Sequence, residues 1–116
     1  MNAIEDLYKT IEDRKQNKSE GSYTCYLFEQ GIDKILKKVG EECAETIIAS
    51  KNGVREQVVL EVSDLTYHLL VMLAELNIPL SDIESELTAR AAKIGNLKTF
   101  KYTDKNTLFL IASYSK

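Results

Sequence analysis

This chain of 116 residues has few cysteines and no excess of basic residues, and each of these facts excludes a class of protein. The two cysteines, Cys25 and Cys43, form no CxxC pair and are too few for a disulfide framework. We therefore expect a reduced, cytoplasmic protein. The net charge of −3 leaves no basic surface of the kind that nucleic-acid binding requires.

Long apolar runs are absent as well. No stretch approaches the roughly 20 apolar residues that cross a membrane. The first residues, MNAIEDLYKT, are charged almost at once and contain no signal-peptide core. A length of 116 residues fits one domain and not two. We expect a single folded domain that does not associate with a membrane.

Helix-breaking residues are few, and they fall mostly between apolar stripes of helical period. Pro79 is the only proline, and there are five glycines. The three-residue break at 51–53 makes the helices on either side of it antiparallel neighbours. We predict an all-α bundle built on this antiparallel hairpin, with a mobile loop over 15–22. The spacing of apolar residues predicts helices over 3–14, 23–30, 33–50, 54–76 and 82–94.

The helical patterns place the domain at 1–95 and leave the tail, 96–116, undetermined. Within the tail, Thr107–Ile111 fits either a short strand or the start of a helix. Elsewhere, Leu69–Leu73 is apolar right around its helix, and such a helix is buried on all sides. A single small chain has little material to cover it. We therefore predict that homo-oligomerisation completes the bundle.

Two pairs of acidic residues stand at i, i+3 on the hairpin helices. Glu42 and Glu45 lie on one flank of the third helix, and Glu61 and Asp64 on the corresponding flank of the fourth. In an antiparallel pair these flanks meet on one face, at axial levels that differ by roughly 3 Å. Converging carboxylates repel one another, and a multivalent cation would stabilise them. Oxygen ligands favour Mg²⁺ or Mn²⁺ over zinc. The alternative is a solvated acidic face.

Four further residues are candidates for holding phosphate. Ser22, Tyr23 and Thr24 open a helix, where hydroxyls and free N–H groups suit an anion, although they serve equally well as a helix cap. Lys38 shares the carboxylate flank and is placed to meet phosphate charge.

Two candidates are better explained by structure than by chemistry. The only histidine, His68, is expected to be a hydrogen-bonded structural residue. Cys43, on the predicted apolar stripe of its helix, is expected to pack in the core.

These residues resemble a known family. The segments that carry the likeness read GSYT at 21–24, GIDKI at 31–35, KKVGEECAET at 37–46 and EVSDLTYHLL at 61–70. They are similar to the phosphoribosyl-ATP pyrophosphatases of histidine biosynthesis. That family belongs to the all-α, MazG-like nucleotide pyrophosphatases, whose signature is ExxE…ExxD. The resemblance covers about residues 1–95, and GSYT with KKVGEE distinguishes this member of the superfamily.

The resemblance implies a MazG-like bundle that hydrolyses the α–β phosphoanhydride of 1-(5-phosphoribosyl)-ATP, giving phosphoribosyl-AMP and pyrophosphate. It implies a homodimer or homotetramer, and Mg²⁺ held by Glu42, Glu45, Glu61 and Asp64. The chemistry also needs a base for the attacking water, and Glu41 and Glu42 both remain candidates. The tail after residue 95 matches no part of the family pattern, and no fused cyclohydrolase domain accompanies it.

Other interpretations stay open. A housecleaning pyrophosphatase for damaged nucleoside triphosphates shares ExxE…ExxD but should lack the GSYT and KKVGEE context. A non-catalytic interaction bundle would leave the same acids merely solvated. A di-iron carboxylate bundle expects Glu-x-x-His pairs, which a single histidine does not supply.

Overall fold

The computed structural model describes residues 2–93, and within that range it contains five α-helices and no strand. The all-α class is confirmed, and each predicted helix end lies within three residues of the observed one. The predicted boundary at 95 and the run at 107–111 lie outside the described residues. The helices are α1 (Ala3–Gln16), α2 (Tyr23–Gln30), α3 (Ile32–Asn52), α4 (Arg55–Glu75) and α5 (Leu80–Ala91).

The structure divides into two units, one ending at Leu80 and one beginning at Ser81. The first unit contains α1 to α4, and all the sites described below lie in it. The second contains α5, whose last turn carries an ion pair between Arg90 and Glu86 at 2.8 Å.

The α3–α4 hairpin turns at Gly53, which has a φ of 71°. This left-handed conformation is easy for glycine and strained for other residues, so the glycine fixes the point at which α3 ends. Its N–H donates to the Ala49 carbonyl at 3.0 Å and closes the last turn. The sequence Lys51-Asn52-Gly53 therefore sets the antiparallel pairing on which the acidic face depends.

The hydrophobic core lies where α1 and α2 cover the C-terminal half of α4. Within the run Leu69–Leu73, the side chains of Leu70, Val71 and Leu73 are buried inside a single chain. Much of this run is therefore covered within one chain, and homo-oligomerisation stays a prediction. The buried cluster comprises Tyr8, Ile11, Leu27, Ile35, Leu70, Val71, Leu73 and Ala74.

The helix α3 buries a different face from the predicted one. Its buried residues are Ile35, Glu42 and Ala49, each seven positions after the last, while Cys43 is exposed. The prediction that Cys43 packs in the core was wrong. At about 100° per residue, the predicted stripe lies one residue's rotation away from the face that contacts the other helices.

A second apolar surface stays uncovered near the turn of the hairpin. Ile47 is 65% exposed and Leu60 is 64% exposed, and Ile48 and Val59 beside them are also exposed. We call these four residues the apolar tip. Ile48 and Leu60 line a groove of about 260 Å³ that also contains Glu45 and Glu61, so the apolar tip borders the acidic residues directly.

By length and composition alone, α4 could cross a membrane, since an 18-residue window has a mean hydropathy of 1.3. This differs from the expectation that no such stretch exists. However, α4 carries Glu61 and Asp64 near its middle, and acidic residues are costly at the centre of a bilayer. Its C-terminal half also supplies much of the core.

Two long-range hydrogen-bonding groups attach α1 to the end of α4. The Tyr8 hydroxyl donates to the Ile78 carbonyl at 2.6 Å. The Lys15 ammonium donates to the Ala74 carbonyl at 2.8 Å and to Asn77 Oδ1 at 3.0 Å. Lys15 therefore belongs to α1 and caps the end of α4. The loop that was predicted over 15–22 begins later than predicted, because α1 continues to Gln16.

Candidate metal and phosphate site

Three carboxylates of the hairpin converge on one point. Glu42, Glu45 and Glu61 each place one oxygen within 4.8 Å of the other two. Glu42 and Glu45 lie one turn apart on α3, and the antiparallel packing brings Glu61 of α4 to the same level. The structure thus brings together three of the four predicted acids, and we call them the carboxylate group.

The fourth acid, Asp64, borders this group. Its charge helps to raise the pKa of Glu42 and of Glu61, so it lies within electrostatic range of both. Its side chain is exposed, and among residues 2–93 its oxygens do not join the 4.8 Å cluster. Asp64 is therefore placed as an outer member of the predicted set.

Glu42 is the most informative member of the carboxylate group. It is only 5% exposed, and its Oε2 has no hydrogen-bond partner among the described residues. Its other oxygen, Oε1, lies 3.7 Å from Lys38 Nζ. A buried carboxylate oxygen without a partner is costly, because it has lost its water and gained nothing in exchange.

Burial is the main cause that raises the pKa of Glu42. A hydrogen bond shared with Glu45 and the charges of Glu45 and Asp64 raise it further, while Lys38 lowers it. That bond forms only when one of the two carboxyls is protonated, so the ionised Glu42 keeps an unpaired oxygen. Desolvation and the charge of Glu45 likewise raise the pKa of Glu61.

These donors fit a hard divalent cation. The carboxylate group offers oxygen ligands only, which suits Mg²⁺ or Mn²⁺. A cation among them would pair with the unpartnered oxygen of Glu42 and offset the repulsion that raises its pKa. The residues present are therefore able to hold such an ion.

One hydroxyl joins the backbones that carry the two acidic motifs. Thr46 Oγ1 donates to the Glu42 carbonyl at 2.7 Å and lies 3.3 Å from the Glu61 carbonyl on α4. A single hydroxyl proton shared in this way holds the two helices at one level beside the carboxylate group. Sequence reasoning did not single out Thr46, because its second partner is visible only once α3 and α4 are paired.

Lys38 lies at the edge of the carboxylate group, as predicted from its flank. Its Nζ is 3.4 Å from Glu41 Oε1. Burial lowers the pKa of Lys38, but Tyr23, Glu41 and Glu42 together raise it above its ordinary value. The ammonium therefore stays charged next to the acids, where it can face a phosphate oxygen.

The three hydroxyl residues predicted to hold phosphate all have partners within the chain. Ser22 Oγ accepts a hydrogen bond from the Cys25 N–H at 3.2 Å and caps α2. The Thr24 hydroxyl is hydrogen-bonded to the Tyr67 hydroxyl of α4. The Tyr23 hydroxyl lies 3.1 Å from Nε2 of His68.

His68 decides the direction of the hydrogen bond with Tyr23. Its Nδ1 lies 2.7 Å from the Asp64 carbonyl, which can only accept, so Nδ1 carries the hydrogen of the neutral ring. Nε2 then accepts from the Tyr23 hydroxyl, which has no hydrogen left for a phosphate. Ser22, in contrast, only accepts from Cys25 and keeps its own hydrogen to donate. His68 is buried and hydrogen-bonded, as predicted.

Most of this chain is similar to known proteins. Residues 4–91 match the family model described as phosphoribosyl-ATP pyrophosphohydrolase. A phosphoribosyl-ATP pyrophosphatase of Listeria welshimeri is 55% identical over 102 residues, which are 88% of this chain and 98% of the relative. One from Clostridium botulinum strain Hall is 54% identical over 88% of this chain and 93% of the relative. One from Listeria monocytogenes serotype 4b (strain F2365) is 57% identical over 84% of this chain and 94% of the relative.

Proposed function

The chain belongs to the phosphoribosyl-ATP pyrophosphohydrolase family, and from this membership we propose that it hydrolyses the α–β phosphoanhydride of 1-(5-phosphoribosyl)-ATP. The products would be phosphoribosyl-AMP and pyrophosphate, in the second step of histidine biosynthesis. The structural observation that carries the proposal is the buried, unpartnered oxygen of Glu42 within the carboxylate group. Such a group makes chemical sense where a cation and a polyphosphate meet.

The metal of this proposal is Mg²⁺, with Mn²⁺ as a substitute. Glu42, Glu45 and Glu61 would hold it, with Asp64 beside them. When bound, the ion supplies the positive charge that a polyphosphate needs near an acidic protein, polarises phosphoryl oxygens and makes water more acidic. The support for this assignment is the fit of the oxygen donors and the electrostatic need of Glu42.

Other residues of the chain would bind the phosphates and accept the proton of the attacking water. Lys38 faces phosphate oxygens with a charge that Glu41 and Glu42 keep in place. Ser22 donates its free hydroxyl hydrogen to the same substrate. Of the two candidate bases, Glu41 is the better choice, because it is exposed whereas this proposal assigns Glu42 to the cation. Glu41 therefore accepts the proton of the attacking water in this proposal.

The assembly we propose is a cytoplasmic homodimer or homotetramer that covers the apolar tip. Ile47, Ile48, Val59 and Leu60 are exposed in one chain, and an apolar surface of that kind marks a contact site. The groove that joins Ile48 and Leu60 to Glu45 and Glu61 would be closed by the same contact. Oligomerisation would then also exclude water from one side of the carboxylate group.

The test is turnover of phosphoribosyl-ATP with Mg²⁺, measured as pyrophosphate release and by chromatography of the products. We expect kcat/KM to exceed that for ATP and for deoxynucleoside triphosphates. Glu42→Gln should reduce turnover by on the order of a hundredfold, whereas Glu56→Gln, an exposed acid at the start of α4, should leave it unchanged. Equal or faster hydrolysis of canonical or damaged triphosphates would instead identify a housecleaning pyrophosphatase.

A further inference from the structure

Three tyrosine rings lie side by side next to the carboxylate group. Tyr23 and Tyr26, one turn apart on α2, stack with centroids 6.0 Å apart and planes at 23°. Tyr23 also stacks with Tyr67 of α4, at 6.2 Å and 27°. Tyr23 is 45% exposed and Tyr26 is 42% exposed, so the outer part of this tyrosine row faces solvent. Packing of the core accounts for Tyr67, but it does not account for two exposed, parallel rings.

Hydrogen bonds fix the orientation of the row relative to the site. The Tyr23 hydroxyl donates to His68, and His68 donates to the backbone carbonyl of Asp64. The charges of Lys38 and Glu42 act on the Tyr23 phenol, so these groups are close to it. The hydrogen bond to His68 thereby holds the ring of Tyr23 beside the groups that would bind phosphate, which lowers the cost of ordering it on binding.

A cleft of about 690 Å³ opens beside the row. One wall is α2, with Tyr23 and Tyr26, and the other is the loop at 18–21. The Ser19 N–H donates to Cys25 Sγ at 3.3 Å, which attaches this loop to α2. Small-molecule sites commonly occupy about 300–1,000 Å³, so the cleft is large enough for a nucleoside.

Phosphate contacts alone cannot distinguish one nucleotide from another. The carboxylate group, with its cation, and Lys38 meet only phosphate oxygens, and every nucleoside polyphosphate offers those. Recognition of the base needs a surface that a base can contact, and the flat faces of aromatic side chains provide it. The tyrosine row is the aromatic surface that adjoins the phosphate groups within residues 2–93.

We propose that the tyrosine row, through the outer ring of Tyr26 above all, is the stacking surface for the purine base of the nucleotide. This inference rests on the proposed function, because it assumes that phosphates occupy the carboxylate group and Lys38. The base lies in the cleft against the ring of Tyr26. The Tyr23 hydroxyl then acts through His68 to hold its ring in place and does not contact phosphate.

The sequence contains no tryptophan, which gives a direct test. In Tyr26→Trp the only indole lies in the proposed stacking surface. Titration with ATP and Mg²⁺ should quench its fluorescence, and inorganic tripolyphosphate with Mg²⁺, which has no base, should not. A control variant, Lys9→Trp, places the indole on the exposed side of α1 and should respond to neither. An equal response of Tyr26→Trp to both ligands, or none to ATP, would overturn the proposal.

A second variant measures the contribution of the ring. Tyr26→Leu should weaken ATP binding in calorimetry about tenfold, because a leucine side chain offers no flat ring on which a base can stack. Its affinity for tripolyphosphate should not change, and Tyr26→Phe should recover most of the ATP affinity lost in the leucine variant. Equal loss for both ligands, or no loss for ATP, contradicts the stacking role.

These outcomes separate the stacking surface from the reaction itself. If ATP binds on the row but phosphoribosyl-ATP is not hydrolysed, the proposed function fails and the stacking surface stands. If phosphoribosyl-ATP is hydrolysed but its KM is the same in Tyr26→Leu, the stacking surface fails and the proposed function stands.

Discussion

The two ends of the α3–α4 hairpin are similarly apolar in sequence but differ completely in burial. At the open end, Leu70, Val71 and Leu73 are covered by α1 and α2. At the turn, Ile47 and Leu60 are bare. The difference shows that apolar character alone does not determine whether a residue is buried, because burial depends on which helices of the chain pack against it.

The carboxylate group lies between these two ends, and its chemistry depends on that position. Glu42 is buried on the inner face of α3, while Asp64, at the same distance from the turn on α4, still reaches solvent. A fully buried set of acids would be inaccessible to a polyphosphate, and a fully exposed one would not need a cation. The boundary between covered and bare surface supplies both burial and access.

The largest difference in effect is expected between two substitutions, one at each end of the hairpin. Leu70→Asp should unfold the chain, because even truncation of a buried leucine costs about 2–5 kcal/mol and a buried charge costs more. Leu60→Asp should keep its helical circular dichroism and sediment as a monomer, because in the proposed assembly its side chain is covered by a second chain. Sedimentation and circular dichroism of both variants provide the measurement. Identical behaviour of the two would remove the distinction between the ends.

Substitution of the acidic residues should weaken metal binding without unfolding the chain. Glu42→Gln, Glu45→Gln and Glu61→Gln should each weaken Mn²⁺ binding in calorimetry and reduce turnover, by on the order of a hundredfold. Asp64→Asn should have a smaller effect, because its oxygens lie outside the 4.8 Å cluster. Helicity should persist in all four, since each change relieves repulsion. Near-normal Mn²⁺ affinity in the first three would refute the metal assignment.

The stability of the metal-free protein should depend on pH through Glu42. Burial raises the pKa of Glu42 above its ordinary value of 4.5, so the folded state holds this proton more tightly than the unfolded state does. Stability should therefore fall as pH rises from about 4.5 through the raised folded pKa. In thermal melts with EDTA, the melting temperature of Glu42→Gln should fall less with rising pH than that of the unsubstituted protein. Mg²⁺ at pH 7 should restore the melting temperature of the unsubstituted protein, and parallel pH curves for both proteins would contradict this.

Loss of the Thr46 hydroxyl should have a moderate effect on the same site. Thr46→Val keeps the shape of the side chain but removes its bonds to the carbonyls of Glu42 and Glu61. One hydrogen bond contributes about 1 kcal/mol, so Mn²⁺ affinity should fall roughly fivefold. Thr46→Ser, which keeps the hydroxyl, should bind Mn²⁺ nearly as well as the unsubstituted protein. Unchanged affinity in the valine variant would show that Thr46 only packs.

The smallest expected effect concerns the loop beside the cleft. Trypsin should cut after Lys18, which is exposed in the loop, and not after Lys15, whose ammonium is bonded to the end of α4. ATP with Mg²⁺ should slow the cut at Lys18, because Lys18 lines the proposed nucleoside cleft. Equal cleavage at both lysines would show that the end of α1 is not held.

The sequence predicted the features that depend on local order. Helix ends follow from breaks such as Gly53, and the convergence of Glu42, Glu45 and Glu61 follows from i, i+3 spacing and one short turn. These arguments need only the geometry of a helix and the knowledge that two helices pair.

Features that depend on distant partners could not be predicted in the same way. The face that α3 buries is set by the helices packed against it, so Cys43 was misplaced by one residue's rotation. The partners of the Tyr23 and Thr24 hydroxyls lie 45 and 43 residues further along the chain, on α4. No periodic pattern indicates which side chain will meet a hydroxyl at that distance.

The attachment of α1 to the end of α4 has a consequence for synthesis of the chain on the ribosome. Tyr8 is bonded to a residue 70 positions later, and Lys15 to one 59 positions later. At a translation rate of about 5–20 residues per second, these partners are therefore synthesised roughly 3–14 s after the first helix. During that interval Ile11, which is later buried, has no core to enter. We therefore expect the hairpin, whose contacts are local, to assemble before α1 docks on the end of α4.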